Sequence, residues 1–151
     1  SKIFMAFLED VVENTPAMDL NADSFKVALF DNDITPDQTV TSANTAFGAG
    51  QWVSAGNEVF EAGPWSTGGV ALSSVTSSFA SNVYTFDAAD TASGSGADLA
   101  NVFGCLVYDD TITTPVADQG VSFHYFGGGN TVVNGTLTVV WNASGIFTIT
   151  A

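Results

Sequence analysis

Two residues of this sequence stand out by chemical type because each occurs once: His124 and Cys105. His124 lies in residues 121–126 (VSFHYF), where strand alternation puts Val121, Phe123 and Tyr125 on one face and Ser122, His124 and Phe126 on the other. An imidazole works as a general base only beside a nucleophile and with a group to orient it. The spacing points to neither, so a partly exposed structural histidine is expected. Cys105 lies in the apolar run 101–108 (NVFGCLVY), where a desolvated thiol is hard to ionise and therefore inert. A lone cysteine also excludes an internal disulfide.

Oxygen side chains at alternate positions occur in residues 31–37 (DNDITPD), as at the start of a calcium-binding loop. The match then fails, because Pro36 stands where the loop needs Gly and Ser42 where it needs a bidentate Glu. A strand-ending turn is the expected reading, with a bound cation as the alternative. The sixteen Asp and Glu can be paired for glycoside hydrolysis in many ways, so no pair is singled out. There is no G-x-S-x-G elbow and no phosphate-binding glycine loop ahead of a helix. Gly127-Gly128-Gly129 precedes a strand pattern and reads as a turn. Asn134-Gly135-Thr136 and Asn142-Ala143-Ser144 fit the glycosylation pattern by chance. No catalytic residue, cofactor or metal is expected.

The elements that would position any such group are mostly strands. The length of 151 residues suits one domain, and 46% hydrophobic residues suit a packed core. Sixteen acidic residues face two lysines and no arginine, for a net charge of −14. Two cations cannot neutralise a nucleic-acid backbone or hold an anionic membrane, so both are excluded as partners. The acidity reads either as like-charge repulsion that keeps subunits soluble or as docking on a basic protein surface.

Ile3, Phe4, Phe7, Leu8, Val11 and Val12 fall at helical spacing, and Pro16 closes a short amphipathic helix of residues 1–15. Glu9, Asp10 and Glu13 interrupt its apolar run, which is too short for secretion or membrane spanning. A soluble, cytoplasmically made protein is expected. Residues 24–30 (SFKVALF) alternate as a half-buried strand. A long connection over 37–56 follows, with Phe47 and Trp52 as anchors and room for one helical turn. Strand patterns recur at 58–61, 70–72, 75–79, 83–86, 102–108, 121–126, 131–133, 136–141 and 146–150. Asn134-Gly135 between two β-branched runs predicts a hairpin, and residues 90–98 an exposed loop. No internal repeat or linker divides the chain. The fold class expected is mainly β: one domain over 1–151, with an antiparallel sandwich or jelly-roll-like barrel over 21–151 behind the helix.

Four segments follow one another in a pattern that goes beyond generic strand chemistry. Asn21, Asp23, Lys26, Val27, Ala28 and Leu29 approximate an N-D-x-[IF]-K-V-A-L strand. Residues 63–72 (GPWSTGGVAL) carry aromatic-x-x-Gly-Gly-x-Ala-Leu, and residues 102–109 (VFGCLVYD) approximate aromatic-x-x-[VI]-[VI]-Y-[DK]. Gly135, Leu137, Val139, Trp141, Gly145 and Ile146 follow G-x-[FL]-x-[VI]-x-W-x-x-x-G-I. In this order the segments resemble a family of small structural proteins of tailed-bacteriophage virions. The chain departs from that pattern at 121–127, where the family tends to a shorter turn, and over 37–56.

The resemblance implies a head-associated protein made in the bacterial cytoplasm, and specifically a capsid decoration (cement) protein. Such a protein binds the major capsid protein on the outside of the shell, with homotrimers suited to local threefold positions. Aromatics outside obvious alternation, Trp52, Phe60, Trp65 and Phe126, are the contact candidates, together with Ile3, Phe4 and Phe7 of the helix. The alternatives are a tail or minor tail protein and a carbohydrate-binding sandwich with Trp52, Trp65 and Trp141 as a sugar platform. No enzymatic activity is expected.

Overall fold

A computed structural model describes residues 2–13 and 18–150. In chain order the elements are β1 (Lys2–Ile3), α1 (Met5–Glu13), β2 (Phe25–Phe30), α2 (Ser42–Thr45), β3 (Glu58–Val59), β4 (Val70–Ala71), β5 (Thr76–Ala80), β6 (Val83–Asp87), β7 (Thr91–Ala92), β8 (Ala97–Asp109), β9 (Gly120–Gly135), β10 (Thr138–Val139) and β11 (Phe147–Thr150). The chain is mainly β with antiparallel sheets, arranged like a sandwich and not closed into a barrel. The main sheet has the order β1-β9-β8-β2-β3, with β4 also on β2. A three-stranded sheet runs β11-β6-β5, and β10 pairs with β7. Pro16, expected to end the helix, lies outside the described residues.

The central strand β2 differs from a half-buried strand: Phe25, Val27, Ala28, Leu29 and Phe30 are all buried. Both of its faces are covered, which its apolar run at 27–30 permits. Large aromatics fill the space in two clusters. Trp52 meets Phe4 edge-on at 5.9 Å, Phe30 edge-on at 5.1 Å and Phe123 at 6.2 Å between centroids. The second cluster chains Phe25 to Phe86 (5.1 Å), Phe86 to Phe147 (5.3 Å) and Phe147 to Phe7 (5.8 Å). Edge-to-face geometry suits the ring quadrupole. The N-terminal segment joins the clusters, with Phe4 entering one and Phe7 the other. The long connection behaves as expected, with α2 as its helical turn, Trp52 in the core and Phe47 stacked on Tyr108 at 5.2 Å.

Gly69 is the position where a glycine is compulsory. Its φ is +84°, and a Cβ there would collide with the Val27 carbonyl of β2. The Gly-Gly of residues 63–72 therefore lets the chain press β4 onto β2, where Val70 pairs with Val27.

Four sequence expectations are corrected. Ile3 is not helical but pairs with Ser122 as part of β1. The glycine triplet is strand: β9 runs through it, and a Cβ on Gly129 would press on the Phe103 ring of β8 at 2.9 Å. Asn134-Gly135 makes no hairpin, because β9 pairs with β8 whereas β10 crosses to β7. Asn134 is held instead by Asp98, whose Oδ1 accepts its N–H at 2.7 Å. The loop over 90–98 contains β7 and the start of β8.

Candidate protein-interaction surface

The groups with catalytic chemistry are engaged in structure. His124 Nε2 lies 3.0 Å from Ser122 Oγ, and the imidazole meets the Trp141 ring edge-on at 5.2 Å. Burial pulls its pKa down to about 4, so the ring is neutral at pH 7. Ser122 is itself buried, which makes the pair a strut between β9 and Trp141. Burial raises the Cys105 thiol far above its ordinary range and leaves it inert. In the 31–37 turn, Asp31 Oδ1 accepts the Asp33 N–H at 2.9 Å. Asp37 Oδ1 accepts the Thr39 hydroxyl and N–H at 2.7 and 2.8 Å, and these bonds hold its carboxyl below the usual range. Both carboxylates thus serve their own backbone. Among the described residues no group of three or more His, Cys, Asp and Glu is placed to hold a metal ion. No helix among them is long and apolar enough to cross a membrane.

The contact candidates divide. Phe4, Phe7, Trp52 and Trp65 are buried in the core, so none is a ready surface anchor; rings this large contribute most where water is fully excluded. With Trp141 also buried, the three tryptophans form no exposed sugar platform. Ile3 is half-buried in the β1 pairing, Phe126 is half-buried beside Leu137 and Val139, and Phe60 is 46% exposed.

The surface that the sequence did not single out is the outer end of the second aromatic cluster. Strand register places Phe79 of β5 opposite Tyr84 of β6, and Tyr84 opposite Ile149 of β11. Two residues along, the next row is Ser77, Phe86 and Phe147 on the same face. Phe86 and Phe147 are buried, whereas Phe79 is 67% exposed. The face that packs the core therefore continues past its cover into solvent. Beside it a groove of about 510 Å³ is lined by Phe7, Leu8, Val11, Met18, Leu20, Tyr84 and Ile149, with Asp19, Asn21 and Ser77 as polar members. Leu8 also faces the outer side of α1, where Met5 and Val12 are 50% and 85% exposed.

Local sequence explains this geometry. Phe4 and Phe7 fix α1 against the core, which turns Met5, Leu8 and Val12 to the other side at i, i+3, i+7 spacing. β5 and β11 are the edges of their sheet, and neither TSSFA nor FTIT contains a charge or proline to blunt an edge. Glu9 and Glu13 beside the α1 stripe and Asp19 in the groove give this apolar surface an acidic surround. The uncharged run of β5 is the local signal around Phe79, but the equally uncharged β11 carries the buried Phe147, so its exposure follows from how the sheets stack.

No family model, curated protein or solved structure matches this chain. The resemblance to tailed-phage virion proteins accordingly stands on the four sequence segments.

Proposed function

We propose that this chain is a non-enzymatic structural protein of a tailed-phage virion, a capsid decoration protein that docks on the major capsid protein. The observation that carries the docking reading is the uncovered apolar face: Phe79, Tyr84 and Ile149 in register, continuous with a groove and with the Met5–Leu8–Val12 stripe. Exposed apolar surface of this kind, surrounded by polar residues, marks protein contact sites. The net charge of −14 supports the same reading by keeping free subunits apart until a shell surface is offered. The ordered sequence segments supply the virion context, and threefold lattice positions favour a homotrimer.

The test is co-sedimentation of the purified protein with expanded, undecorated heads of the phage that encodes it, with bound copies counted. The expected outcome is saturable binding at a copy number set by the shell lattice. Binding to isolated tails and not to heads would replace this reading with a tail protein.

A further inference from the structure

The groove and the stripe on α1 form one surface, because Leu8 lines both. From Met5 to Val12 the stripe runs roughly 10 Å along the helix, at about 1.5 Å per residue. The groove of about 510 Å³ lies beside it, walled by Val11 of α1, Leu20 of the following turn and Tyr84 and Ile149 of the three-stranded sheet. Two apolar parts joined at one residue suit a stretch of chain that sets several apolar side chains into them at regular spacing.

The charge of this surface is one-sided. Glu9 and Glu13 on α1 and Asp19 at the groove are all exposed. Among the described residues no cation lines either part. Lys26 is engaged by Asp110 Oδ1 at 2.8 Å, and Lys2 lines a separate cavity with Ile146 and Thr148. Carboxylates around an apolar surface that has no cation of its own repel an acidic partner and attract a basic one. This sorts the occupants. A second copy would bring a further net charge of −14 and set the same acids against each other across a twofold contact. An anionic lipid surface is repelled in the same way.

We infer that the groove and stripe bind a basic amphipathic segment of a partner protein, whose apolar side chains enter beside Leu8 while its Lys or Arg side chains meet Glu9, Glu13 and Asp19. This rests on the docking reading of the face and adds the chemistry of what docks. Apolar burial supplies most of the affinity, and the carboxylates supply selection and salt dependence, each exposed ion pair changing affinity by roughly threefold. The acids can be neutralised without disturbing the fold. Asp19 Oδ1 accepts the Asn21 N–H at 2.9 Å, and an asparagine oxygen at that position keeps the bond.

The test titrates the full chain against labelled synthetic peptides, read by fluorescence anisotropy. Two probes combine Leu and Lys, one at helical spacing and one alternating as a strand, and two more carry Glu in place of every Lys. At least one Lys probe should bind saturably, and neither Glu probe should. Glu9→Gln/Asp19→Asn should melt like wild type and bind that Lys probe roughly tenfold more weakly, as two exposed ion pairs imply. Raising salt from about 50 to about 300 mM should weaken wild-type binding in the same direction. Backbone amide shifts on binding should cluster at Leu8, Val11, Leu20, Tyr84 and Ile149. Binding of neither Lys probe, equal binding of Lys and Glu probes, or shifts scattered over the acidic surface would overturn the inference. Expanded heads separate it from the docking reading. Heads that bind wild type and the double variant alike would keep docking and overturn the basic segment, whereas peptide binding without head binding would keep the basic segment and remove the capsid as its source.

Discussion

Around Trp52, the rings of Phe4, Phe30 and Phe123 close on one another, and water reaches almost none of them. Around Phe147, the chain of rings from Phe25 through Phe86 runs on to Tyr84 at 6.5 Å and then outward to the half-open Ile149 and the exposed Phe79. The two clusters use the same residue types and share the N-terminal segment, yet one is finished inside the subunit and the other is not. The difference lies in cover. Phe4 ahead of α1 and Phe30 and Phe123 of the main sheet enclose Trp52 of the 37–56 connection, whereas the three-stranded sheet extends past the elements that pack on it. The docking proposal rests on that difference, because there the row of rings outruns its cover.

The contrast can be broken most forcefully at its closed end. Trp52→Ala should cost about 3–5 kcal/mol, the range for emptying a large buried aromatic site, and chemical denaturation should show it as a large fall in midpoint. Gly69→Ala should cost about 2–4 kcal/mol, since it combines a left-handed φ with a clash on Val27, and the same denaturation measurement applies. A smaller effect is set by pH. His124 is held neutral by burial, so the unfolded chain binds more protons between about pH 4 and 6.5. Its contribution is lost as pH falls through that window, by up to about 3 kcal/mol, and thermal scans of His124→Gln should lack this acid-side loss. The smallest stability effect belongs to the open end: Phe79→Ser should change folding free energy by no more than about 0.5 kcal/mol while abolishing docking.

Much of the fold was legible because local chemistry decided it. Residues 24–30 alternate as a strand, Pro36 and its neighbours end that run, and Trp52 could anchor a long connection only by being buried. The helix was readable from 5 to 13, but Ile3 was drawn into β-pairing by Ser122, a partner 119 residues away in sequence. Gly129 looked like part of a turn because the Phe103 ring, which leaves no room for a Cβ there, arrives from another strand. The exposed apolar face was hidden for a similar reason. Phe79 and Phe86 sit in comparable alternating runs, and only the stacking of whole sheets makes one exposed and the other core. Candidates chosen for ring size, Trp52 and Trp65, fell in the core because size favours burial.

The most direct test of the central claim is saturation binding of wild-type and Phe79→Ser protein to expanded, undecorated heads, run side by side with thermal melts of both proteins. The account predicts lattice-limited binding by wild type, none by the variant, and closely similar melting curves. Undiminished binding by Phe79→Ser, or wild-type protein that stays in the supernatant, would contradict it.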